Sequence, residues 1–208
     1  QNRVDDLSGI LNGIDEKHWS PGSDTHLKHK YNARSLAKKS LNKVELQKQL
    51  SLPVDRNIPM IGMISRLVQQ KGLDIILQSL PSLLTMPIQL VILGAGEAHY
   101  EQQLTDWANR HTERFKVIIG YDESLSHMIE AASAIYLMPS TFEPCGLNQM
   151  YSMAYGTVPI VRRTGGLADT VVNATHETCE YGTANGFSFD EFSEEALCLT
   201  LKSALQMY

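Results

Sequence analysis

From Pro59 onward, short runs that are apolar throughout alternate with longer amphipathic segments, and this alternation restricts the fold more than any other feature. Residues 60–65, 89–93, 115–119, 135–138 and 158–161 read as strands, with a shorter one at 186–189. Between and after them, residues 72–84, 97–110, 124–132, 146–155 and 167–174 read as helices, with a last helix from 194 onward. A strand that is apolar on both alternating faces has to be covered on both. A helix between each pair of strands supplies the long crossover that parallel pairing requires. The expected fold is α/β: a Rossmann-like, doubly wound parallel sheet with helices on both faces.

Sheets of this kind bind ligands beyond the carboxyl ends of their strands, so the loops after Ser65, Leu93, Ile119, Met138 and Val161 should form one rim. In the first loop, Arg66 and Lys71 can both turn over one diphosphate, or can be ordinary surface cations. The second, Leu93-Gly94-Ala95-Gly96-Glu97, invites a dinucleotide reading. A third glycine would be needed where His99 stands, and no acidic residue ends the next strand, so a nicotinamide site is disfavoured. Gly94 is better read as part of a tight turn close to a ligand. The third loop carries Tyr121, which either stacks on a base or closes the sheet edge.

The fourth loop, PSTFEPCGLNQMYSMAY at 139–155, passes from a strand into a helix. The N–H groups of Gly146, Leu147 and Asn148 have no partner inside that helix, and the helix dipole adds positive potential, so an anion site is expected. Glu143 stands beside it, either as a helix-dipole carboxylate or as an acceptor for sugar hydroxyls. The fifth loop contributes Thr164-Gly165-Gly166, where backbone can approach a ligand closely.

Several classes are excluded by composition. With 18 basic residues against 23 acidic the net charge is −5, and no basic run offers a nucleic-acid footprint. The apolar runs fall short of the roughly 20 residues of a membrane helix. Three scattered cysteines, Cys145, Cys179 and Cys198, suit a reducing, cytoplasmic setting. The histidines show no metal-binding spacing, and His26 and His29 read as surface residues.

Residues 1–57 break the alternation. A short strand is expected at 7–11, a turn at Asn12-Gly13, a loop at 20–24, and an amphipathic helix over 38–50 that stops ahead of Pro53. One domain is expected, with 1–57 as an entry arm plus helix and 58–208 as the βα core. The opening residues have neither an initiator Met nor an apolar leader, and the chain stops within a helical pattern, so a fragment of a longer protein is expected.

Taken in order, SGILNGIDEKHWSP at 8–21, SRLVQQKGLD at 65–74, LGAGE at 93–97, IGYDE at 119–123, the stretch 139–171 from PSTFEPCG to TGGLADTV, and NGFSF at 185–189 resemble the glycogen and starch synthases. The resemblance is to the C-terminal half of a bacterial-type glycogen synthase, a retaining glycosyltransferase of GT-B architecture, and it runs from end to end. It implies glucose transfer from ADP-glucose to the non-reducing 4-hydroxyl of an α-1,4-glucan, with no cofactor and no metal. Arg66 and Lys71 match positions that hold the departing diphosphate, and Tyr121 matches the base-stacking position. Glu143 matches the first carboxylate of an E-x7-E pattern that binds glucosyl hydroxyls, with the backbone of Cys145 and Gly146 alongside. Leu147 and Asn148 match the N–H groups at the distal phosphate, and Asn12 matches a position near the glucosyl or acceptor end.

Tyr151 departs from the pattern by standing where the second carboxylate would be, which leaves same-face internal return open. The acceptor-side domain is absent from this chain. The alternative is a non-catalytic module that binds nucleotide or glucan, although Trp19 and Trp107 are too far apart in sequence to suggest an aromatic row.

Overall fold

The computed structural model describes residues 8–208. Six parallel strands form one sheet: β1 (Met60–Ile64), β2 (Gln89–Gly94), β3 (Phe115–Ile119), β4 (Ile135–Met138), β5 (Val158–Arg162) and β6 (Phe187–Phe189). Their spatial order is β3-β2-β1-β4-β5-β6, so the winding reverses between β1 and β4. The helices are α1 (Lys39–Gln49), α2 (Leu73–Leu83), α3 (Ala98–Arg110), α4 (Glu123–Ala132), α5 (Asn148–Ala154), α6 (Gly165–Thr170), α7 (His176–Glu180) and α8 (Glu194–Gln206).

The strands are apolar throughout because alternate residues serve two cores. Leu90 and Ile92 of β2 pack with α2, α3 and α8, whereas Val91 and Leu93 face the opposite layer with Leu46 of α1 and Leu125 and Ile129 of α4. Burying each such side chain contributes about 1.5–3 kcal/mol, so the double coverage carries much of the drive to fold. A smaller cluster of Tyr136, Met138, Val161, Leu167 and Val171 closes the far side of β4 and β5.

The entry segment is less independent than an arm. Ser8–Leu11 form no strand, Leu7 lies outside the described residues, and Asn12-Gly13 lies outside any assigned turn. Leu27 and Tyr31 are buried in the α1–α4 core, and the Tyr31 hydroxyl donates to the Tyr155 carbonyl at 2.7 Å. Polar residues of α1 turn inward: Lys43 donates to the Arg56 and Ile58 carbonyls, and Gln47 to the Asp55 carbonyl and the Gln89 side chain. Lys39 donates to the Glu130 and Tyr155 carbonyls and to Thr157 Oγ1, and its burial pushes its pKa down to about 7. These side chains supply donors to carbonyls of the 55–58 segment and of the carboxyl ends of α4 and α5.

Asp24, only 3% exposed, is a buried polar anchor of the loop ahead of α1. Its Oδ2 accepts from the Tyr155 hydroxyl at 2.5 Å and from His127 Nδ1 at 2.8 Å, and its Oδ1 accepts from the His26 N–H. Burial pushes its carboxyl up, but the hydrogen bonds from His127, Tyr155 and His26 together outweigh that and hold it below the usual carboxylate range. Asp24→Asn removes the charge that orients these donors and should lower stability by roughly 2–3 kcal/mol, seen as a reduced urea midpoint at unchanged slope. His26, read from sequence as a surface residue, is half-buried with its ring 4.6 Å from that of His127.

Helix boundaries differ from the sequence reading where backbone geometry intervenes. Gly146 is left-handed with φ +67° and Leu147 is the N-cap, so α5 starts at Asn148. α6 starts earlier than expected, at Gly165, and ends before Val171, which is extended. A separate α7 follows, started by a capping box in which Thr175 and Thr178 exchange side-chain and backbone hydrogen bonds.

Candidate functional site

Since β1 and β4 are neighbours at the reversal of strand order, the loops that follow them lie side by side. Gln70 joins them: its carbonyl accepts from the Thr141 N–H at 2.9 Å, and its side chain donates to the Phe142 carbonyl at 2.9 Å. Arg162, at the end of β5, braces the same loop by donating to the Thr141 carbonyl at 2.7 Å. Between the loops opens a cavity of about 230 Å³ lined by Arg66, Lys71, Ser140, Glu143, Leu147 and Asn148 together with apolar residues of β1 and β4.

Lys71 Nζ donates to Glu143 Oε2 at 2.5 Å, and the Ser140 hydroxyl donates to the same oxygen at 3.2 Å. Glu143 is buried, at 7% exposure, and Lys71 is the cation paired with it there. An ammonium has three donors, and the others remain available for an incoming anion. Arg66 is exposed and its Nη2 reaches Gln70 Oε1 at 3.3 Å. Among the described residues, the N–H groups of Gly146, Leu147 and Asn148 have no hydrogen-bond acceptor. The cavity is therefore positive on the side of Arg66 and the α5 start, with a paired carboxylate at its floor.

The Asn148 side chain serves a different purpose from its N–H. Its Nδ2 donates to the Ile64 carbonyl at 2.9 Å and to the Tyr136 hydroxyl at 2.6 Å, tying the start of α5 to the end of β1. Cys145 is exposed, and its carbonyl accepts from Gln149 Nε2.

Tyr121 stands on the rim beyond β3 at 83% exposure, so it does not close the sheet edge by burial. Gly94 is outside the cavity, and a Cβ there would lie 1.9 Å from the Ser65 carbonyl oxygen. Its smallness lets the β2 loop press on the β1 loop that carries Arg66, where Leu67 N–H donates to the Ala95 carbonyl and Glu97 N–H to that of Leu67. Asn12 is exposed and lines no part of the cavity. Ser140, Gln70 and Arg162 were missed in the sequence, where nothing marks residues that act by bridging loops.

The fold also unites histidines that are distant in sequence: His18 and His127 meet Glu123 beside the rim. A larger, mostly apolar cavity of about 540 Å³ opens at the amino-terminal ends of β4 and β5, lined by Ala134, Ile135, Val158 and Phe187 among others. It lies at the end of the sheet opposite the rim and, among the described residues, is lined by no charged side chain, so the smaller polar cavity is the better candidate.

Residues 42–208 match the family model for glycosyl transferases group 1. The chain is 50% identical over 206 residues to a glycogen synthase of Cellvibrio japonicus, covering 99% of this chain and 43% of that protein. It is 46% identical over 208 residues to glycogen synthase 1 of Methylococcus capsulatus, covering 42% of it. The catalytic domain of starch synthase IV from Arabidopsis thaliana, solved bound to ADP and acarbose, superposes with a TM-score of 0.90 at 39% identity, over 96% of this chain and 41% of that one. The Anabaena protein Alr3699/HepE, at 19% identity and a TM-score of 0.62, shares the fold. The chain thus spans about two fifths of the length of these synthases.

Proposed function

This chain belongs to the glycosyl transferases group 1 family, and we propose that it is the donor-binding half of an ADP-glucose-dependent glycogen or starch synthase. In this reading the complete protein transfers glucose to the non-reducing 4-hydroxyl of an α-1,4-glucan with retention. Residues 1–208 form one nucleotide-sugar-binding domain, and the acceptor glucan is held mainly by a domain outside this chain. The setting is cytoplasmic, in keeping with three free cysteines, and among the described residues no helix is long and apolar enough to cross a membrane.

The observation that carries the reading is the single cavity shared by Arg66, Lys71, Glu143 and the unpaired N–H groups at the start of α5. When the glycosidic bond to the nucleotide breaks, negative charge grows on the diphosphate. Arg66 and the two free donors of Lys71 are placed to meet it, and charge stabilisation that grows towards the transition state accelerates the chemical step. The N–H groups of Leu147 and Asn148 hold the distal phosphate. Glu143 keeps Lys71 in place with Oε2 and offers its other oxygen to glucosyl hydroxyls. Tyr121 supplies a flat face to the base. Tyr151 cannot act as a second carboxylate because its side chain is a phenol, and its ring is stacked on Trp19 at 4.0 Å.

Calorimetric titration of the chain with ADP and ADP-glucose tests this. Binding in the wild type and its loss in Lys71→Ala are expected, together with turnover of ADP-glucose by the complete protein. No heat with either nucleotide sinks the donor role, and glucan affinity without nucleotide affinity would instead indicate a glucan-binding module. Tyr121→Ala should weaken ADP binding about tenfold, the loss of one base–aromatic stack. Glucan synthesis by the isolated chain at the rate of the complete protein would overturn the assignment of the acceptor to another domain.

A further inference from the structure

We propose that His18, Glu123 and His127 form a binding site for one divalent transition-metal ion of the zinc class, clasping the entry loop to α4 at the edge of the rim. Glu123 and His127 are four residues apart on α4, one turn, and so share a helix face. His18 comes to that face from the entry loop, held by a turn in which the His18 and Trp19 N–H groups donate to the Asp15 carbonyl. A nitrogen of each histidine and an oxygen of Glu123 lie within 4.8 Å of one another, with His18 Nε2 3.1 Å from Glu123 Oε1.

The independent sign is at His127. This ring is fully buried, and among the described residues its Nε2 has no hydrogen-bond partner. Its Nδ1 faces Asp24 Oδ2 at 2.8 Å, and a carboxylate there demands a proton on Nδ1. In the neutral imidazole Nε2 then carries a lone pair, and among the described residues no donor reaches it. An unsatisfied acceptor of this kind is costly, whereas a metal ion uses that lone pair directly. A carboxylate on the far nitrogen is the usual support for a metal-binding histidine, because it orients the ring and raises its basicity. Trp19 stacks on the His127 ring at 4.0 Å and 8° and prevents it from turning away.

Two imidazoles and one carboxylate suit zinc and its first-row neighbours rather than calcium or magnesium, which prefer all-oxygen shells. Tetrahedral zinc with bonds near 2.0–2.1 Å needs ligand atoms about 3.3 Å apart. His18 and Glu123 are about half-exposed and can close the remaining gap by side-chain rotation, leaving a fourth position for water. Glu123 lies two residues beyond Tyr121, so the clasp would order the entry loop beside the rim.

The test is calorimetric titration of the tag-free chain with zinc chloride alone, together with visible absorption after cobalt substitution. One equivalent should bind, with the intense d–d bands of a four-coordinate cobalt site. His18→Ala and Glu123→Gln, both at exposed positions and therefore expected to fold, should each weaken binding at least tenfold and remove those bands. Asp24→Asn, which reaches the metal through His127 and also lowers stability, should weaken it about 10–100-fold when titrated at a temperature where the variant is folded. Absence of saturable one-to-one binding, or wild-type affinity in either His18→Ala or Glu123→Gln, overturns the proposal.

Discussion

Arg66→Ala in the complete protein should lower kcat/KM about 10²–10³-fold while leaving thermal stability unchanged. The size is that of removing one preorganised donor from a site of developing charge. The separation from stability follows from its position, because Arg66 is exposed and among the described residues its side chain makes one hydrogen bond, to Gln70 at 3.3 Å. Steady-state kinetics with ADP-glucose and a melting curve on the same sample decide the matter, and wild-type kcat/KM would remove Arg66 from the proposed site. Lys71→Ala should behave differently. It leaves Glu143 buried with only the Ser140 hydroxyl on Oε2, so stability should fall as well, by roughly 2 kcal/mol. Adding Glu143→Gln to Lys71→Ala should recover part of that stability and none of the activity.

Gly165→Ala should cost about 10²-fold in kcat/KM although residue 165 lines no part of the cavity. A Cβ at this position, where φ is +46°, would lie 2.1 Å from the Glu143 carbonyl oxygen. Backbone rather than a flexible side chain stands in the way, so the Glu143 loop has to move, and Lys71 loses its partner's geometry. Gly182→Ala is the control. It shares the left-handed backbone, at φ +66°, but a Cβ there has nothing within 4 Å, so it should incur only the conformational cost of about 1 kcal/mol and keep full activity. Equal losses of activity in the two variants would show that backbone strain, not displacement of Glu143, is responsible.

Much of this was legible along the chain, and particular residues show where legibility stopped. Apolar strands and turn glycines act over a few residues, so β1 to β6 and the rim appear in the sequence nearly where they stand in the fold. Glu143 could be read as a carboxylate beside an anion site, but its partner could not, because Lys71 is 72 residues away and reaches it only through the adjacency of β1 and β4. The entry segment misled in the same way. Lys39, Lys43 and Gln47 have the composition of a solvated helix face, yet they point inward, Lys39 to the carbonyls of Glu130 and Tyr155 far along the chain and Lys43 and Gln47 to carbonyls of the 55–58 segment that folds back over α1.

By itself the sequence determined the class of sheet, the loops that could hold a ligand and, through motifs taken jointly, the family. Tertiary structure alone decided that the carboxylate is paired, that Gln70, Ser140 and Arg162 set the shape of the cavity, and that His18, Glu123 and His127 meet. The physical reason is range. Periodicity and turn chemistry are properties of neighbouring residues, whereas an ion pair or a ligand cluster depends on strand order and loop packing, which bring together residues whose separation along the chain carries no information about contact.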